Sequence, residues 1–204
     1  MHDRSELVEW CTAGRPLPGE ERSGDDALVV ADERRALVAA IDGVGHGPLA
    51  QEAAEVAVAT LRRDPWTDVA ALTRRCHEAL RPTRGAAVGL AAFGGAGTVT
   101  WLGVGNVTGR LVSGGGLSAP TGRWLASVSG VAGDDDLPPL RPATIPVRRG
   151  DVLVLATDGI DGAFADDLVV TGTCDEIAGR VLRDFARATD DALVVVVRYL
   201  ADDA

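Results

Sequence analysis

The chain has 204 residues, enough to bury a core without disulfides or a structural metal. Apolar residues make up 46% of it and charged residues 25%, a globular balance, while aromatics reach only 4%, so the core has to be built from Ala, Val and Leu. A net charge of −10 excludes nucleic acid and anionic membranes as principal partners and leaves divalent cations admissible.

No apolar run approaches the roughly 20 residues of a membrane span. The opening stretch, MHDRSELVEWCTAGRPLPGEERSG, has no apolar region of the kind a secretion signal carries, so a cytoplasmic protein is expected. The cysteines, Cys11, Cys76 and Cys174, are odd in number, widely spaced and match no zinc pattern, as expected for free thiols in a reducing compartment. The chain reads as one domain over 1–204, a monomer, with residues 1–22 as a short arm or edge strand and a core over 23–200.

In chain order, Ala27 to Asp32 and Arg35 to Asp42 read as two strands joined by a charged turn. Pro48 suits the first turn of a helix, and Ala50, Ala53, Ala54, Ala57, Val58 and Leu61 then recur at helical spacing. Asp64-Pro65 stops that helix. Thr67 is expected to cap a second one, with Val69, Leu72, Cys76 and Leu80 on one side. Ala86 to Phe93, Thr98 to Leu102 and Val107 to Val112 follow as a meander of strands separated by glycine-rich turns. Residues 117–146 read as loop with short strand pieces, and Asp151 to Thr157 as a buried strand. Thr173 to Glu176 forms a capping box that opens a helix to about Ala188. Ala192 to Tyr199 closes the chain as a strand buried on both faces. Strands clustered apart from helices predict an α+β fold with antiparallel sheets rather than a wound βαβ fold.

Four of these strands border an aspartate. Asp25 and Asp26 precede the first, Asp42 follows the second in IDGVGHG, Asp158 follows DVLVLAT, and Asp190 and Asp191 precede the last. If those ends meet, at least four carboxylates share one place and repel unless cations neutralise them. Hard oxygen ligands suit Mg²⁺ or Mn²⁺ rather than zinc. Two such ions can acidify a water and clamp a phosphoryl group for in-line attack. The three glycines within Gly43 to Gly47 are expected to let a backbone carbonyl or a substrate oxygen approach closely.

The ordered set GDD, DGVGHG, TDG and DDALVV, together with LGVGNV over Leu102 to Val107, resembles the SpoIIE-type branch of the PPM family of metal-dependent serine/threonine protein phosphatases. It is most similar to the small RsbX-like stressosome phosphatases. The resemblance runs from about Ser23 to Leu200 and implies two antiparallel sheets packed as a sandwich with helices on the outer faces. It implies two Mn²⁺ or Mg²⁺ ions bridged by Asp42, a carbonyl ligand from Gly43, Asp158 and Asp191 on the first metal, and Asp25 supporting the second. It implies a phosphorylated STAS-domain signalling protein as substrate. The chain departs from many relatives at Gly162, where they carry an acid, with Asp161 one position earlier. His46 stands at a different offset from the histidine of eukaryotic-type enzymes, so a buried or loop-fixing role is expected for it. Arg22 is the nearest arginine to the first motif.

Other constellations carry less. Gly103 to Gly109 has GxGxxxG spacing with no helix after it, so a turn at Asn106 is expected rather than a dinucleotide loop. Ser127 and Ser129 lack the frame of a nucleophile elbow. Asp134 to Asp136 reads as a solvated acidic loop. Two rival functions remain on these residues: a phosphatase-fold module that only docks a regulatory partner, and a small-molecule phosphoesterase on the same metals.

Overall fold

The computed structural model describes residues 2–114 and 122–202; part of the expected loop over 117–146 lies outside them. Strands β1 (His2–Arg4), β2 (Val8–Arg15), β3 (Asp25–Ala31) and β4 (Arg35–Gly43) lead into helices α1 (Pro48–Arg63) and α2 (Val69–Leu80). Strands β5 (Ala86–Gly94), β6 (Thr98–Val104), β7 (Thr108–Val112), β8 (Gly122–Leu125), β9 (Ser127–Val128), β10 (Ala143–Pro146) and β11 (Val152–Ala156) follow. A 3₁₀ turn (Gly162–Ala165), α3 (Cys174–Phe185) and β12 (Ala192–Tyr199) complete the order.

One sheet runs β1-β2-β12-β11-β7-β8 and the other β10-β6-β5-β4-β3, with β9 added beside β6 as the one parallel pair among the described residues. Strand alternation explains how they stack. On β4, Ala36, Val38 and Ala40 enter the core between the sheets, whereas Leu37, Ala39 and Ile41 enter a second core beneath α1 and α2. On β12, Leu193, Val195, Val197 and Tyr199 face the central core, and Ala192, Val194 and Val196 face a third core beneath α3. The continuous apolar run of β12 therefore reflects burial on both faces. The result is the expected α+β sandwich, with helices outside two antiparallel sheets. With few aromatics available, Trp101 fills the centre, its indole N–H satisfied by the Ala126 carbonyl at 2.9 Å.

Three local expectations are corrected. Within 1–22, β2 is an interior strand, not an arm or edge, because its residues pair with β1 on one side and β12 on the other. The meander ends at Gly105-Asn106: β5 and β6 pair with each other, but β7 crosses to the other sheet and pairs with β11 and β8. Helix α2 is capped by Asp68, whose carboxylate accepts the Ala71 N–H at 2.9 Å, while the Thr67 hydroxyl donates to Asp64 instead. The Thr173–Glu176 capping box forms as expected, although α3 stops at Phe185.

The glycine that follows Asp42 has a packing reason. A Cβ on Gly43 would stand 2.1 Å from the Ala50 carbonyl oxygen in the first turn of α1, and 3.0 Å from the Gly24 carbonyl. The helix thus starts directly on the strand end, and its alanines at 50, 53, 54 and 57 keep it close along its length. Neither obstacle is a flexible side chain. Gly43→Ala is expected to destabilise the fold by about 1–3 kcal/mol through overpacking, read as a lowered urea midpoint at unchanged slope.

Candidate active site

The same alternation that builds the central core delivers polar groups to its end. Continuing the inward-facing positions of β4 past Ala40 reaches Asp42, and continuing those of β3 (Ala27, Val29, Ala31) backward reaches Asp25. Register places Asp25 directly opposite Asp42. Continuing β11 past Leu155 reaches Thr157, whose hydroxyl donates to Asp25 Oδ2 at 2.6 Å. Like charges at facing positions of an antiparallel pair repel.

A cleft of about 550 Å³ opens over this end, lined among others by Asp42, Asp158, Asp190, Asn106, Gly45 and Ser129. Asn106 donates its amide to Asp158 Oδ2 at 2.6 Å. Residues expected only to form a turn at 105–106 therefore also orient a carboxylate, a role that sequence spacing gives no sign of. Asp42 Oδ2 is buried with no hydrogen-bond partner among the described residues. A buried carboxylate oxygen without a donor is costly.

Desolvation pushes the Asp42 carboxyl up to about 8, helped by the charges of Asp25, Asp158 and Asp190 and opposed by Asn106. Desolvation likewise raises Asp25 to about 7; the Thr157 hydroxyl opposes it, and Asp191, Asp158 and Asp190 add to it. Asp190 is also raised, chiefly by desolvation. The donor set is all oxygen, it is over-charged, and it holds an orphaned lone pair aimed at a cleft. Those properties fit hard divalent cations. Among the described residues, no three His, Cys, Asp or Glu side chains converge closely enough to enclose an ion as they stand. The hydrogen bonds from Thr157 and Asn106 orient the carboxylates of Asp25 and Asp158.

Asp42 and Asp158 line the cleft, and Asp25 lies opposite Asp42 in the strand register. Asp191 is 2% exposed, and both its oxygens are committed to backbone N–H groups: Leu17 at 2.7 Å and Gly24 at 2.7 Å. It clips the two ends of the β2–β3 loop to the start of β12. Its neighbour Asp190 is the one that lines the cleft. Sequence alone could not separate adjacent aspartates, because the chain leaves strand alternation where β12 begins.

Gly162 faces open space, with nothing within 4 Å of where a Cβ would stand. Asp161 does not substitute for an acid there: it accepts the Ala163 N–H at 3.0 Å and pairs with Arg187 at 3.3 Å. His46 pairs with Glu20 at 3.2 Å on the loop, and Arg22 donates to Gln51 at 3.4 Å. Cys11, Cys76 and Cys174 are free and buried, the thiols of Cys76 and Cys174 pushed up to about 12 by desolvation.

A chain from a structure of the bacterial stressosome, a modular system that has been adapted to control secondary messenger signalling, is 30% identical. It superimposes with a TM-score of 0.85 over 94% of this chain and 99% of its own. The phosphoserine phosphatase RsbX of Bacillus subtilis (strain 168) is 24% identical over 187 residues, 90% of each chain. The crystal structure of RsbX in complex with magnesium has a TM-score of 0.86 at 21% identity, covering 98% of both chains. No family model matches the chain. The sandwich is that of the PPM-class phosphatases, and the chain is a metal-dependent phosphatase. The chain belongs to the RsbX-like type of that family.

Two outcomes follow from the carboxylates. Asp25 and Asp42 have folded pKa values above the unfolded value of about 3.9. Their contribution to stability is therefore fully present below about pH 4 and is lost as pH rises through about 7 to 8. The chelator-treated protein should melt at falling temperature across that window, Asp42→Asn should flatten the fall, and Mn²⁺ should reverse it at pH 8. A wild-type profile that is flat, or unchanged by Asp42→Asn, would contradict the assignment. Asp191→Asn, in contrast, sets an amide donor against a backbone N–H. It should cost about 1–3 kcal/mol in urea unfolding, with or without metal.

Proposed function

We propose that Asp42, Asp158, Asp190, Asp25 and the Gly43 carbonyl would hold two Mn²⁺ or Mg²⁺ ions in this phosphatase. The observation that carries this reading is the facing Asp25–Asp42 pair, with its unpartnered buried oxygen, beneath a cleft that Asp158 and Asp190 also line. The cations, when bound, acidify a water and neutralise phosphoryl charge. Asn106 sets the Asp158 carboxylate, Thr157 sets Asp25, and Asp191 fixes the loop that ends at Gly24, beside Asp25. No residue need be phosphorylated during turnover. Asp191, the ligand expected from the resemblance, serves here as the clip rather than as a ligand.

The substrate is a phosphoserine or phosphothreonine on a protein, and the open cleft suits a residue presented on a surface better than a small molecule needing enclosure. RsbX acts as a phosphoserine phosphatase, and the 30% identical chain comes from a stressosome structure. These support a phosphoprotein of a stress-signalling switch as the substrate; on our reading it is a STAS-domain protein and the enzyme a cytoplasmic monomer. No helix among the described residues is long and apolar enough to cross a membrane. The alternative reading, a docking module without turnover, rests on Gly162, which stands where many relatives carry an acid.

Hydrolysis of an aryl phosphate separates the two. Turnover should require Mn²⁺ or Mg²⁺, stop with chelator, and fall at least about 100-fold in Asp42→Ala, Asp158→Asn and Asp190→Asn. Absence of turnover on both the aryl phosphate and a phosphorylated STAS protein, with no Mn²⁺ bound by calorimetry, would leave only the docking module.

A further inference from the structure

Every side chain so far placed in the cleft is neutral or anionic, yet the substrate is a phosphomonoester dianion. Arg84 lies in the turn between α2 and β5, exposed, with a guanidinium Nη1 3.0 Å from where a Cβ on Gly45 would stand. Gly45 lines the cleft and has φ +89°, so its bare backbone both makes the turn and leaves room for the arginine.

The turn is fixed to both cleft walls. The Val44 N–H donates to the Gly85 carbonyl at 3.0 Å, joining it to the loop after Asp42. Ala86 and Ala132 exchange two backbone hydrogen bonds of 2.9 Å, joining it to the opposite wall, where Ser129, Gly130 and Val131 line the cleft. Arg84 thus stands on the rim at the seam of the two walls.

Other cations near this end are occupied. Arg187 donates to the Asp158 carbonyl at 3.2 Å and pairs with Asp161 at 3.3 Å. His46 pairs with Glu20, and Arg22 is held by Gln51. Arg84 has no hydrogen-bond or ion-pair partner among the described residues. An unpaired guanidinium fork is matched in shape and charge to two phosphoryl oxygens.

We infer that Arg84 is the phosphoryl-binding arginine of this cleft: it receives the dianion of the substrate at the rim and holds it over the Asp42–Asp158–Asp190 floor. The inference rests on the phosphatase reading above. It assigns to the turn before β5 a specificity for phosphomonoesters that the aspartates, being anionic, cannot supply.

The test compares wild type, Arg84→Ala and Arg84→Lys with Mn²⁺ present. It measures kcat and KM for an aryl phosphate, the inhibition constant of inorganic phosphate, and Mn²⁺ affinity by calorimetry. Arg84→Ala should raise KM and the phosphate inhibition constant about tenfold, as loss of a charged hydrogen bond predicts. Mn²⁺ affinity and melting temperature should stay at the wild-type values, and Arg84→Lys should recover part of the loss. A phosphate inhibition constant within about twofold of wild type would overturn the inference, even if KM for a phosphoprotein rose, since the arginine would then touch the protein substrate and not the phosphoryl group. Active wild type with an unaltered alanine variant overturns the role of Arg84 alone. Wild type that neither turns over nor binds inorganic phosphate overturns both this inference and the phosphatase reading.

Discussion

The structure turns on two carboxylates held face to face. Asp25 and Asp42 occupy paired positions of β3 and β4, at the point where the apolar layer between the sheets gives out. A cross-strand pair of like charges is a fault in a scaffold, and desolvation adds to the cost of charging it, so both carboxyls hold their protons to higher pH. The fold tolerates the fault because the rest of each strand is paired along its length and buried on both faces of β4. Strain concentrated at one end of an otherwise well-packed sandwich is the usual signature of a site kept for chemistry rather than stability. On the proposed reading, a divalent cation would turn the same repulsion into ligation.

The neighbouring backbone is organised to keep that pair in register without help from the ions. Asp191 clips Leu17 and Gly24, and the Gly24 carbonyl accepts the Gly43 N–H at 3.0 Å. Gly43 in turn receives the first turn of α1 at a distance that no side chain would permit. A chain of contacts therefore runs from the start of β12, through the β2–β3 loop, to the end of β4 and into the helix. Two adjacent aspartates divide the labour: the buried one holds the frame and the half-buried one faces the cleft.

Much of this was legible in the sequence because alternation and punctuation are local. Strands β3, β4 and β12, the paired helices α1 and α2, and the capping box on α3 follow from apolar period, proline and glycine placement alone. The meeting of Asp42 and Asp158 was legible too, since each follows an apolar strand in the same way. Other features depend on long-range pairing. Whether β2 lies at an edge or inside a sheet is decided by β12, at the far end of the chain. Whether β7 continues the hairpin or changes sheet is decided by β11. The choice between Asp190 and Asp191 is decided by backbone donors at Leu17 and Gly24, which no spacing rule can locate.

The same reasoning explains why an arginine suited to phosphate is not legible next to the glycine-rich motif. Counting along the chain from Asp42 reaches Arg22 before Arg84 among the arginines of the flanking loops, but strand pairing, not sequence distance, sets proximity here. Gly43 lies opposite Ala86 in the β4–β5 register, which folds the turn carrying Arg84 back onto the loop of Val44 and Gly45. The glycines of that loop thus serve two separate demands. Gly43 is small because a helix lands on it, and Gly45 is a glycine because its φ of +89° disfavours a side chain. On the inference drawn for Arg84, an acidic floor of strand ends and a cationic rim would give the cleft an electrostatic direction.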